Sequence, residues 1–135
     1  MKNLYLLEKI NDDKIISSLK NIDGEIIVFD YITHKNLLKN KIPHVTIDNY
    51  FTDNERNQIF KFCISCCSWY KKIKFTDIMF NGINLFSIID RNEILEFLME
   101  LIPKVHIIKK IVLEKKYNKI FATSFLFEIL KKKII

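Results

Sequence analysis

The sequence predicts an α/β fold: a Rossmann-like open parallel sheet of about four strands with helices on both faces. Short segments rich in β-branched residues alternate with amphipathic helical segments, which is the order typical of a doubly wound sheet. The run Glu25–Asp30 is apolar without alternation, as expected for a strand covered on both faces. The connection from Asp30 to His44 is too long for a hairpin and suits a crossover helix. We therefore expect these two strands to be parallel.

The first half of the chain contains three predicted strands and two predicted helices. In chain order they are a strand at Asn3–Leu7, a helix at Asp12–Leu19, a strand at Glu25–Asp30, a helix at Thr33–Asn40 and a strand at His44–Asp48. Asp12 or Asp13 is the expected N-cap of the first helix, and Thr33 that of the second. The side chains expected to face the core from these helices are Ile15, Ile16, Leu19, Leu37 and Leu38.

The second half is predicted to be mainly helical. A capping box at Thr52–Glu55 begins a helix that should run to about Lys72, and a less regular stretch follows it. A second capping pattern at Asp90–Glu93 begins a long helical region. Pro103 should kink or split that region, because proline removes a donor and clashes with the preceding turn. A fourth strand at Lys119–Thr123 and a terminal helix at Phe125–Lys133 complete the prediction.

Length and composition predict one α/β domain over residues 1–135 in a reducing cytoplasm. The chain has no secretory signal pattern and no apolar run long enough to span a bilayer. Its formal net charge is +6, but 20 of its 22 basic residues are lysine. Nucleic-acid surfaces rely on arginine for bidentate contacts, so we expect no nucleic-acid partner. The lysines at 131–133 are expected to be a solvated helix end, with a peripheral contact to anionic lipid as the alternative.

Two common kinds of site are missing from the sequence. With only two glycines, the chain has neither a P-loop nor a glycine-rich dinucleotide turn, so we expect no nucleotide cofactor. The three cysteines, Cys63, Cys66 and Cys67, include a CxxC spacing inside a predicted helix, without a second pair or a nearby histidine. Buried reduced thiols explain them better than a metal site, so we expect no bound metal.

Polar side chains follow the predicted strands at their carboxyl ends, where open parallel sheets bind ligands. The candidate ligand-binding residues at this edge are Asp30, Thr33, His34, Asp48, Thr123 and Ser124, and Glu8 and Lys9 follow the first strand. His34 could act as a general base or hydrogen-bond a phosphate, and the alternative is that it is a surface or structural residue. The alternative for Asp30 and Asp48 is that they only cap helices or close turns. The sequence assigns no catalytic residue.

The stretch from Phe29 to Leu38, followed by Ile42-Pro43-His44 and by Asp48-Asn49-Tyr50-Phe51, resembles the N-terminal half of GT-B-type glycosyltransferases of microbial surface-polysaccharide synthesis. In that family an early strand ends in an acidic residue, then comes a Ser/Thr-His-Lys helix start, then a strand leading to an Asp-containing loop. Trp69, the stretch Phe80–Leu85 and the strand ending in Thr123-Ser124 follow in a similar order. The resemblance implies an acceptor-side domain, with the nucleotide-sugar donor held mainly by a second Rossmann-like domain.

Three functions are therefore open at this point. The first is an acceptor-side domain related to sugar-nucleotide-dependent glycosyltransferases, incomplete as an enzyme by itself, with a sugar or nucleotide sugar as ligand and a second domain as partner. The alternative is a non-catalytic interaction domain that docks on another protein through a sheet edge or an apolar helix face. The third is a small enzyme that acts on a nucleotide or a phosphosugar, which the missing phosphate loop disfavours.

Overall fold

The computed structural model describes residues 2–68, 79–84 and 91–132. Its strands are β1 (Asn3–Leu7), β2 (Gly24–Val28), β3 (Val45–Thr46), β4 (Met79–Phe80), β5 (Ile83–Asn84) and β6 (Ile120–Ala122). Its α-helices are α1 (Asp13–Ser18), α2 (Tyr31–Lys39), α3 (Asp53–Cys66), α4 (Arg91–Glu114) and α5 (Ser124–Lys131). Short 3-10 helices occupy Leu19–Asn21 and Ile47–Tyr50. The contacts divide the chain into two compact units, Met1–Phe51 with Lys104–Ile135, and Thr52–Pro103.

The first unit is built on a four-stranded sheet in the order β3-β2-β1-β6, and all of its strand pairs are parallel. This confirms the predicted fold class. The pairing of β2 with β3 is parallel, as the length of the crossover connection predicts. The chain moves outward from β1 through β2 to β3, and then returns to the other side of β1 with β6. That reversal beside β1 is the point where doubly wound sheets usually bind ligands.

Both faces of the central strands are buried, because alternate side chains of a strand point to opposite sides. On one face, Leu7 of β1 and Val28 of β2 pack in a core cluster with Ile16, Leu19 and Leu37 of the segment that contains α1 and α2. On the other face, Leu4, Leu6 and Ile27 have no exposed surface. The two-sided burial explains why β2 reads as an uninterrupted apolar run.

The C-terminal half of α4 runs from the carboxyl to the amino ends of the strands. Lys104 contacts Glu8, just beyond the end of β1, while Lys115 contacts Glu25, near the start of β2. Residues 104 and 115 are separated by ~16 Å along a helix. Glu25 is paired with Leu4 of β1, and the distance from Leu4 to Glu8 along a strand is ~13 Å, so the two lengths are similar. This direction delivers the chain to the amino end of β6, so that β6 joins the sheet in parallel.

Several predicted details of the first unit are wrong. Asp30, rather than Thr33, is the N-cap of α2, and its side chain accepts a hydrogen bond from the Thr33 amide. Ile15 and Leu38 are exposed, since each lies on the outer side of its helix. The strand predicted at His44–Asp48 has only two strand residues, and Asp48 lies in the 3-10 helix that follows them.

The second unit contains α3 and the β4-β5 hairpin. The predicted capping box is confirmed: Thr52 accepts from the Glu55 amide, and Glu55 accepts from the Thr52 amide. Asn81 and Gly82 form the hairpin turn with positive φ angles of 50° and 79°, as in a type I′ turn. The Asn-Gly pair is a strong hairpin signal that the prediction of an irregular stretch overlooked. The predicted helix end at Lys72, Trp69, and the residues at 85 and 90 lie outside the described part of the chain.

Two further predictions concern Pro103 and the cysteines. Pro103 does not split the long helix, because α4 is continuous from Arg91 to Glu114 with Pro103 inside it, and the kink that was the other possibility stays a prediction. Proline removes one donor from the ladder, and the residues on either side remain helical. All three cysteines are free, with Cys63 and Cys67 buried. Burial raises the pKa of the Cys63 thiol, which keeps it in the neutral form expected of a packing residue.

The end of α2 returns the chain to the sheet through a Schellman motif. The Ile42 amide donates to the Leu37 carbonyl and the Lys41 amide to the Leu38 carbonyl, at 3.0 Å each. Lys41 adopts a φ of 56°, the left-handed conformation that glycine tolerates best.

We therefore expect Lys41→Gly to raise the free energy of unfolding by a few tenths to about 1 kcal/mol, since it relieves the left-handed strain at the cost of a more flexible unfolded chain. Urea denaturation of the variant and the parent measures this. The matched control is Lys35→Gly, at an exposed position in the middle of α2, which should destabilise by about 1 kcal/mol. An equal loss in both variants would contradict the assignment of strain to residue 41.

Candidate functional site

Two clefts open at the carboxyl edge of the sheet. The first, which we call the His34 cleft, lies at the ends of β2 and β3, has a volume of about 380 Å³ and is lined by Val28, Phe29, Asp30, Tyr31, His34, Thr46, Ile47 and Asp48. The second, which we call the Glu8 crevice, lies between the ends of β1 and β6, has a volume of about 300 Å³ and is lined by Glu8, Lys9, Ile10, Asn11, Asp12, Ile15, Thr123, Ser124 and Phe125.

The candidate residues are thus divided between two places. Asp30, His34 and Asp48 line the His34 cleft, while Thr123 and Ser124 line the Glu8 crevice. Thr33 lines neither of them. It is fully buried, and its hydroxyl accepts a hydrogen bond of 2.9 Å from the Ile10 amide. This contact fixes the loop after β1 against α2, so we assign Thr33 a structural role.

His34 is paired with a second histidine. Its Nδ1 lies 2.8 Å from Nε2 of His44, and Nδ1 of His44 lies 2.7 Å from the Ile42 carbonyl oxygen. The carbonyl can only accept, so Nδ1 of His44 carries the hydrogen of that bond. When both rings are neutral, Nε2 of His44 is then an acceptor, and Nδ1 of His34 donates to it. The remaining nitrogen of His34, Nε2, is left with its lone pair available as an acceptor or base.

This arrangement has the geometry of an oriented base. A side chain that takes up a proton works best when a third group holds its ring in one tautomer and one orientation. His44 and the Ile42 carbonyl supply that group for His34. The Tyr31 ring lies 6.4 Å from His34 between centroids and is largely exposed. The sequence identifies His34 as a candidate but gives no sign of its pairing with His44.

Asp30, which lines the His34 cleft, connects the start of α2 to the loop after β1. One carboxylate oxygen accepts from the Lys9 amide at 3.0 Å, and the other from the Thr33 amide at 3.2 Å. Lys9 has a φ of 55°, and this hydrogen bond stabilises its strained conformation. Partial burial alone would raise the pKa of Asp30, but hydrogen bonds from Thr33 and Lys9 outweigh it and lower the pKa below its usual value.

The Glu8 crevice contains a buried ion pair. Nζ of Lys104 lies 2.6 Å from Oε2 of Glu8, and the two residues are only 5% and 4% exposed. The Glu8 amide donates to the Thr123 hydroxyl at 3.2 Å, which joins the ends of β1 and β6. Lys104 also lies 5.1 Å from the centre of the Phe125 ring. Glu8 was recognised from its place after a strand, but Lys104 was not, because it occurs in a helix that reads as apolar.

A third polar cluster lies at the opposite, amino edge of the sheet. Glu25 accepts hydrogen bonds from Lys115, from the Tyr50 hydroxyl at 2.9 Å and from the Tyr117 hydroxyl at 3.2 Å. Burial and the adjacent Glu25 carboxylate raise the pKa of Tyr50 to about 12. Burial opposes ionisation of Glu25, but the hydrogen bonds from Lys115 and Tyr50 lower its pKa overall. This set of contacts ties β2 to the chain after α4.

The described residues contain no group of three or more histidine, cysteine or acidic side chains arranged to hold a metal ion. In the same part of the chain, no helix has the length and apolar character needed to span a membrane.

Comparisons with protein-family models, with curated proteins and with solved structures found no match to this chain. The resemblance to glycosyltransferases therefore stays a prediction.

Proposed function

We propose that this chain is an acceptor-side domain related to sugar-nucleotide-dependent glycosyltransferases, and that it requires a second domain to supply the donor. The observation that carries the proposal is the oriented His34 ring in the cleft at the ends of β2 and β3. Its Nε2 is placed to accept a hydrogen bond from a ligand, and the Asp30 and Asp48 side chains line the same cleft.

The chemistry assigned to His34 is the activation of a sugar hydroxyl. The hydroxyl donates to Nε2, and as its oxygen forms a bond to the anomeric carbon of the donor, its proton passes to the imidazole. The bond from the anomeric carbon to the nucleoside diphosphate breaks, and the diphosphate leaves with the electron pair. His44 supports the imidazolium, because its Nε2 accepts from Nδ1 of His34 throughout.

The absence of a phosphate-binding loop fits this division of labour. A donor nucleotide needs backbone amides from a glycine-rich turn, which the loop after β1 lacks. A neutral acceptor sugar needs only hydroxyl-directed side chains and a wall to pack on. The His34 cleft offers both, since Asp30, Asp48 and the exposed Tyr31 ring line it beside His34.

A binding titration tests the proposal. We expect neutral mono- and disaccharides to bind more tightly than UDP-glucose or UDP-N-acetylglucosamine in calorimetric titrations of the whole chain. His34→Ala should weaken the tightest saccharide by at least about tenfold, because that corresponds to the loss of one good hydrogen bond, about 1.4 kcal/mol. The matched control is His106→Ala, which removes a ring that stacks on Phe51 away from the cleft. Equal affinity of the His34→Ala variant and the parent would overturn the proposal.

The need for a second domain has its own test in the neighbouring DNA. We expect the reading frame beyond codon 135, or an adjacent gene, to encode a second α/β domain with a phosphate-binding turn. Co-expression of the two should yield transfer from a nucleotide sugar that neither shows alone. A gene of 135 codons without such a neighbour would count heavily against the proposal.

A second candidate function is a non-catalytic interaction domain, favoured by the exposed aromatic residues around β6. In the described part of the chain this strand pairs with β1 only, and the large apolar side chains exposed on it and on α5 are Ile120, Phe121, Phe125 and Phe127. Exposed sheet edges of this kind are templates for pairing with another chain. The interaction function predicts a stable oligomer by light scattering that Phe121→Lys dissociates. A monomer at all concentrations, with Phe121→Lys unchanged, would contradict it.

A further inference from the structure

The Glu8 crevice lies where doubly wound sheets bind ligands, and it is separate from the His34 cleft. β1 stands between β2 and β6, and the order of strands reverses at this position. The two cavities share no lining residue. A site here therefore does not depend on the role proposed for His34.

The polar feature of this crevice is an incompletely satisfied carboxylate. Oε2 of Glu8 accepts from Nζ of Lys104, while Oε1 is buried and has no hydrogen-bond partner among the described residues. Buried carboxylate oxygens are nearly always hydrogen-bonded, and an exception needs a reason. A buried ion pair is in general no more stable than a well-packed apolar pair, so stability alone does not explain it. An oxygen that only accepts calls for a hydroxyl or N–H group from a ligand.

The surroundings of Glu8 narrow the class of ligand. Glu8 and Lys104 neutralise one another, and the two other charged side chains that line the crevice, Lys9 and Asp12, are of opposite sign. The charges of the crevice therefore balance, and a neutral ligand fits it better than a phosphate or a carboxylate, which would add an uncompensated negative charge. Phe125 and Ile15 are 41% and 47% exposed and provide an apolar wall, and the hydroxyls of Thr123 and Ser124 lie at the same opening. A ring with an apolar face and a rim of hydroxyls matches these features.

We propose that the Glu8 crevice binds a neutral, hydroxyl-bearing ring such as a pyranose. One hydroxyl donates to Oε1 of Glu8, and the C–H face of the ring packs on Phe125. Lys104 holds the carboxylate in its charged form and in place, and so acts as a positioning residue. This site goes beyond the proposed function, because it needs neither a donor nucleotide nor the histidine pair.

Backbone amide shifts measured by NMR test this site residue by residue. The probes are methyl glucopyranoside, methyl galactopyranoside and N-acetylglucosamine, with glucose 6-phosphate as the anionic comparison. We expect at least one neutral sugar to shift the amides of Lys9, Ser124 and Phe125, and glucose 6-phosphate to bind more weakly. No shift of these amides with any neutral sugar would overturn the proposal and leave a buried water as the partner of Oε1.

Paired variants keep the test independent of folding. Phe125→Ala removes the wall without breaking the ion pair, and Phe127→Ala is its control on the same helix, with a similarly exposed ring that does not line the crevice. We expect Phe125→Ala to weaken binding about fivefold and Phe127→Ala by less than about twofold. Glu8→Gln keeps one acceptor oxygen but loses the charge that Lys104 holds in place, so it should weaken binding by more than Phe125→Ala does. Equal effects of the two phenylalanine variants would contradict the site.

His34→Ala separates this proposal from the proposed function. It should leave the shifts of Ser124 and Phe125 unchanged while it removes those of the His34 cleft. Loss of both sets of shifts would contradict the existence of a separate site. If binding is lost in the His34 cleft but kept in the Glu8 crevice, the proposal for the crevice is supported, and this holds even if the glycosyltransferase proposal is wrong.

Discussion

Lys104→Met is expected to lower the free energy of unfolding by about 3–5 kcal/mol, because it leaves the Glu8 carboxylate buried without a counter-ion. Both residues of the pair are more than nine-tenths buried, and the contact joins α4 to the end of β1. Bulk water has little access to the carboxylate, so most of the cost of the uncompensated charge falls on the folded state.

Two controls make this result specific. Lys109→Met changes an exposed lysine of the same helix and should cost less than about 0.5 kcal/mol. The double variant Glu8→Leu/Lys104→Met removes both charges and should recover most of the loss, since apolar pairs often replace buried ion pairs without cost. Urea denaturation followed by circular dichroism measures all three. A loss below about 1 kcal/mol for Lys104→Met would show that the pair is not buried as described.

Asp30→Ala is expected to cost about 2–3 kcal/mol at neutral pH, because one carboxylate serves two structural roles. It caps α2 through the Thr33 amide, which is worth about 1 kcal/mol, and it accepts from the Lys9 amide as a charged partner, which is worth somewhat more. Asp30→Asn keeps an acceptor oxygen for one of these contacts and should lie between the alanine variant and the parent.

The same carboxylate predicts a dependence on pH. Its pKa in the folded protein lies below the ordinary value of 3.8, so the folded state binds the proton less readily than the unfolded chain. The stabilisation is thus fully present above about pH 4 and is lost as the pH falls through the lowered folded pKa. The stability difference between the parent and Asp30→Asn should be constant from pH 7 to about 5 and should narrow below pH 4. Asp23→Asn, at an exposed carboxylate, is the control and should show little difference at any pH.

The fold could be predicted from the sequence because its signals are local and strong. Uninterrupted β-branched runs indicate strands covered on both faces, and the crossover length fixes their parallel direction. Errors occur where two residues compete for one role. Asp30 and Thr33 are both good N-caps, and the chain uses Asp30 because its second oxygen also reaches the Lys9 amide, while the Thr33 hydroxyl is taken by Ile10.

The candidate sites were predictable only in part, because they depend on contacts between distant residues. The strand-end rule identifies Glu8, Asp30 and His34, since each follows a strand. It cannot identify Lys104, which is 96 residues from Glu8 and lies within a predicted helix rather than after a strand. Nor does it reveal the partner of His34, because His44 comes within reach only through the Schellman turn at the end of α2.

The central claim is that a sugar binds at the carboxyl edge of the sheet. The most direct test is to map the bound sugar by the chemical shifts of the backbone amides. A neutral saccharide titrated into the isotope-labelled chain should shift the amides of residues 30–34 and 46–48, and leave those around Glu25 and Tyr117 at the amino edge unchanged. Shifts confined to the amino edge, or spread evenly over the sheet, would contradict the assignment of the His34 cleft as the ligand site.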